Sequence, residues 1–175
     1  MTSTYVALLR AVNVAGHGKV TMAELRAAFE SAGFGDVRTY IQSGNVVFTS
    51  SSPVSAADVE RAVGEALGAE PTIMLRTAEE IASVAERNPY GDVDTGEIHV
   101  GLLAEPPAPE VAAGLDVADL APEGATVVDA DVYLHLPNGV GRSKLPNRVA
   151  KQLDAPMTIR NWRTVAKLAD LANPA

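Results

Sequence analysis

The sequence contains no cysteine, and this absence removes several classes of protein. Disulfide scaffolds, thiolate zinc sites, iron–sulfur clusters and cysteine nucleophiles all require a thiol. Any chemistry must therefore use histidine, carboxylate, hydroxyl or cationic groups. Because it has no disulfide to form, the chain does not need an oxidising compartment.

Long hydrophobic runs are also missing. No apolar stretch approaches the roughly 20 residues that a membrane helix needs. Met1 leads into a short apolar strand, without the charged leader or small-residue cleavage site of a secretory signal. These absences predict a cytoplasmic protein with no membrane partner.

Aromatic and basic residues are scarce. Aromatics make up 5% of the 175 residues, and 14 Lys+Arg stand against 22 Asp+Glu, for a net charge of −8. This charge disfavours indiscriminate binding to nucleic acid. It is unevenly spread, since residues 86–131 are strongly acidic and half of all bases lie in residues 142–167. The seven bases there are Arg142, Lys144, Arg148, Lys151, Arg160, Arg163 and Lys167. A solvated helix face and a local anion site are both open interpretations of this run.

The residues that are present predict that the first half of the chain folds in the order strand, helix, strand, strand, helix, strand. Thr21 with Glu24, and Ser55, are helix start signals, and Gly33 and Gly68 are stop signals. The βαββαβ order is that of a ferredoxin-like domain. A further helix follows the last strand.

The second half repeats this order with weaker signals. Ile73–Thr77 matches Met157–Asn161 at an offset of 84 residues (157 − 73 = 84). The elements expected here are a strand at Ile98–Leu103, a helix at Pro109–Leu120, two short strands, a helix at Ser143–Leu153 and a strand at Ala155–Ile159. The fold class is therefore predicted to be α+β: two ferredoxin-like halves, each followed by an extra helix, from an internal duplication. We expect residues 1–90 and 91–175 to form these halves within one compact unit.

The segment Pro137–Lys144 is the strongest candidate for a ligand site. Its two glycines allow the backbone to turn N–H groups toward one point, Ser143 is placed to cap the next helix, and Arg142 and Lys144 add positive charge. Such a loop suits a phosphate or carboxylate, although it lacks the spacing of a nucleotide-hydrolase phosphate loop. The alternative is a tight turn that needs glycine for its conformation alone.

The loop after the first strand is a second candidate. It follows Arg10 and includes Asn13, His17 and Lys19, and it is longer than a minimal connection. The three histidines of the chain are too scattered to form a metal set, so no metal and no cofactor are expected. The lone Trp162 could stack on a ring, but anchoring of the last helix is the more common role.

Several motifs resemble the bacterial domain-of-unknown-function family 1697. The resemblance extends from about Tyr5 to Leu171, with Ala11, Ala15 and Pro146 as departures from the family pattern. It implies an α+β fold related to ferredoxin-like domains, and it implies no activity. The motifs are Tyr5–Arg10, Asn13–Val14, Met22–Arg26, Thr39–Phe48, Asn88–Pro89, Gly141–Leu145 and Arg160–Val165.

We therefore expect a small anionic, phosphate-bearing ligand to be the partner of this chain. An enzyme acting on a small anionic metabolite, with His17 as its titratable group, is one alternative. A nucleic-acid-binding protein is another, disfavoured because the predicted strands lack paired aromatics. The sequence carries no prediction of oligomeric state. The predicted ligand-binding residues are Arg142, Ser143, Lys144, Arg160, Asn161 and Arg163, with Arg10, Asn13 and Lys19 in the second loop.

Overall fold

The structure, a computed structural model, describes residues 1–10 and 20–173 of the chain. They fall into two units, of which unit 1 holds residues 1–83 and those from 167 onward, and unit 2 holds residues 84–166. The division into domains after residue 90 stays a prediction.

Unit 1 is built on a four-stranded antiparallel sheet. Its elements are β1 (Ser3–Arg10), α1 (Met22–Ser31), β2 (Gly35–Tyr40), β3 (Asn45–Ser50), α2 (Ala56–Leu67) and β4 (Thr72–Thr77). The strand order across the sheet is β2-β3-β1-β4, which is the order of a ferredoxin-like domain. The next element, α3 (Ala78–Glu86), follows β4 directly.

The core of unit 1 follows from the alternation of side chains along β1. Tyr5, Ala7 and Leu9 lie on one face, in a cluster with Phe29 of α1 and residues of α2. The intervening Val6 and Leu8 are also fully buried. Both faces of this strand are therefore buried, which explains why its sequence is a continuous apolar run rather than an alternating one.

Unit 2 repeats the arrangement. Its elements are β5 (Ile98–Leu103), α4 (Pro109–Ala113), β6 (Gly124–Val128), β7 (Asp131–His135), α5 (Leu145–Leu153) and β8 (Met157–Asn161), followed by α6 (Trp162–Ala172). The strand order is β6-β7-β5-β8, the counterpart of the first sheet. The predicted α+β class with two ferredoxin-like halves is confirmed.

The strand registers strengthen the case for duplication. In unit 1, Val6 lies opposite Val47 on one side and Arg76 on the other. In unit 2, Val100 lies opposite Tyr133 and Arg160 in the same way. Arg76 and Arg160, which the sequence pairs at an offset of 84, therefore occupy equivalent positions in their sheets.

The helix starts follow the predicted caps. Thr21 and Glu24 form a reciprocal capping box at α1, and Ser55 and Asp58 form one at α2. In the second box the Asp58 backbone N–H donates to Ser55 Oγ over 3.2 Å, and the Ser55 N–H donates to Asp58 Oδ2 over 3.0 Å. Hydrogen bonds from the Ser55 side chain and backbone also hold the pKa of Asp58 below its ordinary value.

Substitution of Ser55 by alanine is expected to lower the free energy of unfolding by about 1 kcal/mol, the usual loss for a helix N-cap. It removes the acceptor for the Asp58 N–H while leaving the apolar face of α2 unchanged. Urea denaturation followed by circular dichroism measures the change, with the exposed Ser51→Ala as control. Equal stability of the two variants would contradict a capping role.

Two predicted elements differ from the structure. The helix expected at Pro109–Leu120 ends at Ala113, and a separate 3-10 turn occupies Ala118–Leu120. Gln152 holds the intervening chain in another conformation, because its side chain both accepts from the Asp116 N–H and donates to the Asp116 carbonyl. The helix expected at Ser143–Leu153 begins two residues later, at Leu145, after a 3-10 turn.

The remaining predicted boundaries are close to those observed. The strand expected at Ala155–Ile159 lies at Met157–Asn161. Its start is delayed because the Ala155 N–H still donates to a carbonyl of α5, that of Ala150. Within residues 1–10 and 20–173, no helix is long and apolar enough to cross a membrane.

Candidate functional site

One end of the unit 2 sheet carries most of the predicted binding residues. There β5 and β6 begin and β7 and β8 end, since Ile98 pairs with His135, Gly124 pairs with His135, and His99 pairs with Asn161. We call it the site end. The loop after β7, residues 137–144, and the first turn of α6 both start here. The two basic motifs of the sequence therefore emerge at the same end of one sheet.

A cavity of about 580 Å³ opens at the site end. We call it the site cavity. Three residues ahead of β5 and three at the junction of β8 with α6 line it: Asp94, Thr95 and Gly96, and Asn161, Trp162 and Arg163.

Local hydrogen bonds hold both walls of the site cavity. Asp94 Oδ1 accepts the Gly96 N–H over 2.8 Å, which closes the 3-10 turn ahead of β5. Asn161 Oδ1 accepts the Thr164 N–H over 2.8 Å and caps α6. Each wall is therefore held by a hydrogen bond within its own segment.

The cations at the site end lack acidic partners. Among the described residues, the side chains of Arg142, Lys144 and Arg163 form no ion pair or hydrogen bond. All three residues are exposed. Arg148, in contrast, pairs with Asp119 over 2.6 Å. The site end therefore combines these three cations with two carboxylates, those of Asp94 and Glu123, that form no ion pair with them in the described part of the chain.

Backbone N–H groups of the loop at residues 137–144 form hydrogen bonds within the loop itself. Gly139 has a positive φ of 79°, as its glycine allows. The Arg142 and Ser143 N–H groups, which an anion nest would aim at a ligand, donate to the Gly139 and Val140 carbonyls. This loop therefore offers an anion its cationic side chains more than its backbone.

Ser143 also has protein partners. Its hydroxyl accepts the Leu145 N–H over 2.9 Å, close to the predicted capping role, and donates to Glu123 Oε2 over 2.7 Å. A carboxylate beside this hydroxyl repels an anion. Ser143 is thus better explained by the start of α5 than by direct ligand contact.

Arg160 is buried in the sheet, with 8% of its surface exposed. Its Nη1 donates to Thr158 Oγ1 and to the Ile159 carbonyl, both over 2.9 Å. Burial lowers its pKa to about 10, so it remains charged at neutral pH. Side chains alternate along a strand, so Arg160 projects to the opposite face from Asn161. Its counterpart Arg76 is likewise buried and bonded to a neighbouring carbonyl, which points to a shared structural role.

The second predicted loop is described only at its first residue. Arg10 is exposed at the end of β1, opposite Thr72 in unit 1. Asn13, His17 and Lys19 lie outside the described residues.

The two other histidines differ in their surroundings. His135 Nε2 lies 2.9 Å from Glu97 Oε2, and its ring lies 5.8 Å from that of Tyr90, so it is satisfied by protein partners. His99 Nδ1 is buried without a hydrogen-bond partner among the described residues, and burial lowers the pKa of this imidazole. No group of three or more metal-ligating side chains occurs in the described part of the chain.

The wall formed by Asp94, Thr95 and Gly96 is not predicted from the sequence, whose candidate ligand-binding residues all lie at residues 10–19 or 142–163. The Asp-x-Gly spacing is a turn signal, in which the aspartate accepts the N–H two residues later. It would have predicted the turn, but not its position beside Asn161, which depends on the pairing of β5 with β8.

Comparison with solved structures supports the fold. The conserved bacterial protein SP0830 from Streptococcus pneumoniae is similar to this chain with a TM-score of 0.69, covering 98% of this chain and 99% of that one. The two sequences are 23% identical, so the likeness bears on the fold alone. No curated protein matches the chain.

Residues 1–133 match the family described as "Protein of unknown function (DUF1697)". This range covers three quarters of the chain and includes the first unit's motifs. It ends ahead of Gly141–Leu145 and Arg160–Val165, the two motifs at the site end. On the strength of this match, the chain belongs to the DUF1697 family, for which the description states no function.

Proposed function

We propose that this chain binds a small anionic, phosphate-bearing ligand at the site end of unit 2. The observation that carries the proposal is the site cavity, about 580 Å³ in volume, with Arg163 in its wall. Ligand sites are typically concave, with volumes of roughly 300–1,000 Å³ and a few convergent polar groups. Arg163 supplies a guanidinium, whose fork of N–H donors matches the oxygens of a phosphate.

The charges at the site end support an anion in preference to a cation. Arg142 and Lys144 emerge from the loop after β7, and Arg163 emerges after β8. These two strands flank β5, so their ends lie about 10 Å apart, two inter-strand spacings. These cations, which are unpaired among the described residues, favour an anion at low ionic strength, where exposed charges are weakly screened.

Asn161 is expected to orient the ligand through a hydrogen bond, since its side chain carries no charge to attract it. Its Oδ1 accepts the Thr164 N–H, which leaves the Nδ2 group as the donor available to a ligand. Arg160 is not part of this proposal, because its guanidinium is buried and bonded within the sheet. The proposed contacts are therefore Arg163 and Asn161, with Arg142 and Lys144 as surrounding charge.

Arg163→Ala is expected to weaken phosphate binding by about tenfold or more, since hydrogen bonds to charged groups contribute roughly 1.5–3 kcal/mol. Isothermal titration calorimetry with inorganic phosphate and ribose 5-phosphate measures the change. Lys151→Ala is the matched control, because Lys151 is an exposed base in the last turn of α5, away from the site end. It removes the same charge and should bind like the wild type.

Added salt provides a second check. Binding at an exposed cation should weaken between low and physiological ionic strength, because salt screens charges at the surface. No binding of either compound, or equal affinities in Arg163→Ala and Lys151→Ala, would overturn the proposal.

A further inference from the structure

We infer that the ligand of the site cavity is a nucleoside monophosphate, an inference that rests on the proposed function and names its ligand class. Three residues with chemically different side chains line this one cavity: Arg163 carries a guanidinium, Trp162 an indole and Asp94 a carboxylate. A ligand that satisfies all three needs an anionic group, a flat ring and hydrogen-bond donors. A nucleoside monophosphate carries these three features in one molecule of suitable size.

Size and charge argue against inorganic phosphate as the full ligand. A bare phosphate would occupy a small fraction of about 580 Å³. It would also meet Asp94 in the same cavity, and a carboxylate repels it. A ligand that places its phosphate beside Arg163 and neutral hydrogen-bond donors beside Asp94 is electrostatically complementary to both side chains.

One carboxylate oxygen of Asp94 is available to accept a hydrogen bond from a ligand. Its Oδ1 accepts the Gly96 N–H, and among the described residues no hydrogen bond reaches Oδ2. An ionised carboxylate accepts hydrogen bonds and donates none. Oδ2 is therefore suited to ribose hydroxyls or to the N–H groups of a base.

Trp162 provides the stacking surface. It is half-buried, and its backbone is fixed because Asn161 caps α6 and the nearby Thr164 is buried. Because its backbone is held and its side chain is half-buried, the indole loses less conformational freedom when a ring stacks on it than a fully exposed side chain would. Stacking of a base on an aromatic side chain strengthens binding by roughly 5- to 150-fold.

The test uses Trp162 itself, because it is the single tryptophan of the chain and its fluorescence reports on this site. Titrations of the full chain compare the four nucleoside monophosphates with ribose 5-phosphate and inorganic phosphate. At least one nucleoside monophosphate should bind about tenfold tighter than ribose 5-phosphate, the lower part of the stacking range, and should change the fluorescence.

Two variants separate the ring from the phosphate. Trp162→Leu, followed by calorimetry, should reduce the preference for the nucleotide over ribose 5-phosphate to about twofold or less, while ribose 5-phosphate still binds. Asp94→Ala, which leaves α6 intact, should weaken nucleotide binding and leave the affinity for inorganic phosphate equal or higher. Circular dichroism confirms that each variant is folded, and Asp94→Ala carries the test if Trp162→Leu is not.

The outcomes distinguish this inference from the proposed function. Equal affinities for nucleotides and ribose 5-phosphate would overturn the nucleotide inference while phosphate binding stood. An unchanged preference in Trp162→Leu and an unchanged nucleotide affinity in Asp94→Ala would overturn it as well. Binding of none of these phosphates would overturn both.

Discussion

Replacing Phe48 with alanine is expected to lower the free energy of unfolding by about 4 kcal/mol, within the range for large-to-small changes in a core. Phe48 is fully buried in unit 1. Its ring centroid lies 5.6 Å from that of Tyr5, 5.2 Å from that of Phe29 and 4.6 Å from that of Phe34. The chain has few aromatic residues, and four of them meet here. The truncation therefore removes the central ring of this cluster and leaves a cavity among the other three.

The measurement is urea denaturation followed by far-ultraviolet circular dichroism, which detects both units. Trp162 fluorescence, recorded in parallel, reports on unit 2. Phe48→Leu is the matched control and should lose about 1 kcal/mol, because it keeps most of the volume. A loss for Phe48→Ala no larger than that for Phe48→Leu would contradict the prediction. It would mean that the neighbouring side chains move in to fill the space left by the Phe48 ring.

Substitution of Asp131 by alanine is expected to lower the free energy of unfolding by about 3 kcal/mol, because it removes the buried one of the two carboxylates that pair with a partly buried arginine. Asp131 begins β7, and 3% of its side chain is exposed. Arg87, after α3, donates from Nη2 to Asp131 Oδ2 over 2.9 Å. Its other terminal nitrogen, Nη1, pairs with Asp129 in the β6–β7 turn. Arg87 therefore ties the segment after α3 to this hairpin within unit 2.

Asp129→Ala is the matched control for Asp131→Ala. Both carboxylates pair with Arg87, but 73% of the Asp129 side chain is exposed, so its removal should change stability by less than about 1 kcal/mol. Thermal and urea unfolding followed by Trp162 fluorescence measures both variants. Equal losses would contradict the assignment of the stabilisation to the buried partner.

The features of the fold that were predictable are those with local causes. The capping boxes at Thr21 and Ser55 involve groups three residues apart, so no tertiary information is needed to find them. Gly33 and Gly68 end their helices with positive φ, a conformation that glycine adopts without strain. The strand Ile98–Leu103 is predicted with its observed bounds because it is a mostly apolar segment between turn residues.

The incorrect helix prediction over Pro109–Leu120 had a non-local cause. Its apolar spacing permits a helix, but Gly114 ends α4 and Gln152, 36 residues beyond Asp116, bonds to the backbone there. A competitor so distant in sequence leaves no trace in a local pattern. The tertiary bonds outweigh a weak intrinsic preference.

The candidate site was predictable only in part, because its geometry also depends on contacts between segments that are distant in sequence. Asn161 and Arg163 were selected for residue type and both line the site cavity, whereas Arg160, selected on equal grounds, is buried in the sheet. One residue separates exposed from buried because alternate side chains of a strand face opposite ways. Asp94 was missed, since nothing near it in sequence shows that β5 pairs with β8.

By itself, the sequence determined the chemistry available to this protein and the order of its elements. The absence of cysteine excludes thiol chemistry, and caps, stop signals and apolar runs act over a few residues. The tertiary structure alone decided which of the many charged groups meet. The register of β5 against β8 brings Asp94–Gly96 to Asn161–Arg163, and the register is set by burial of whole strand faces, a property of the sheet rather than of any segment.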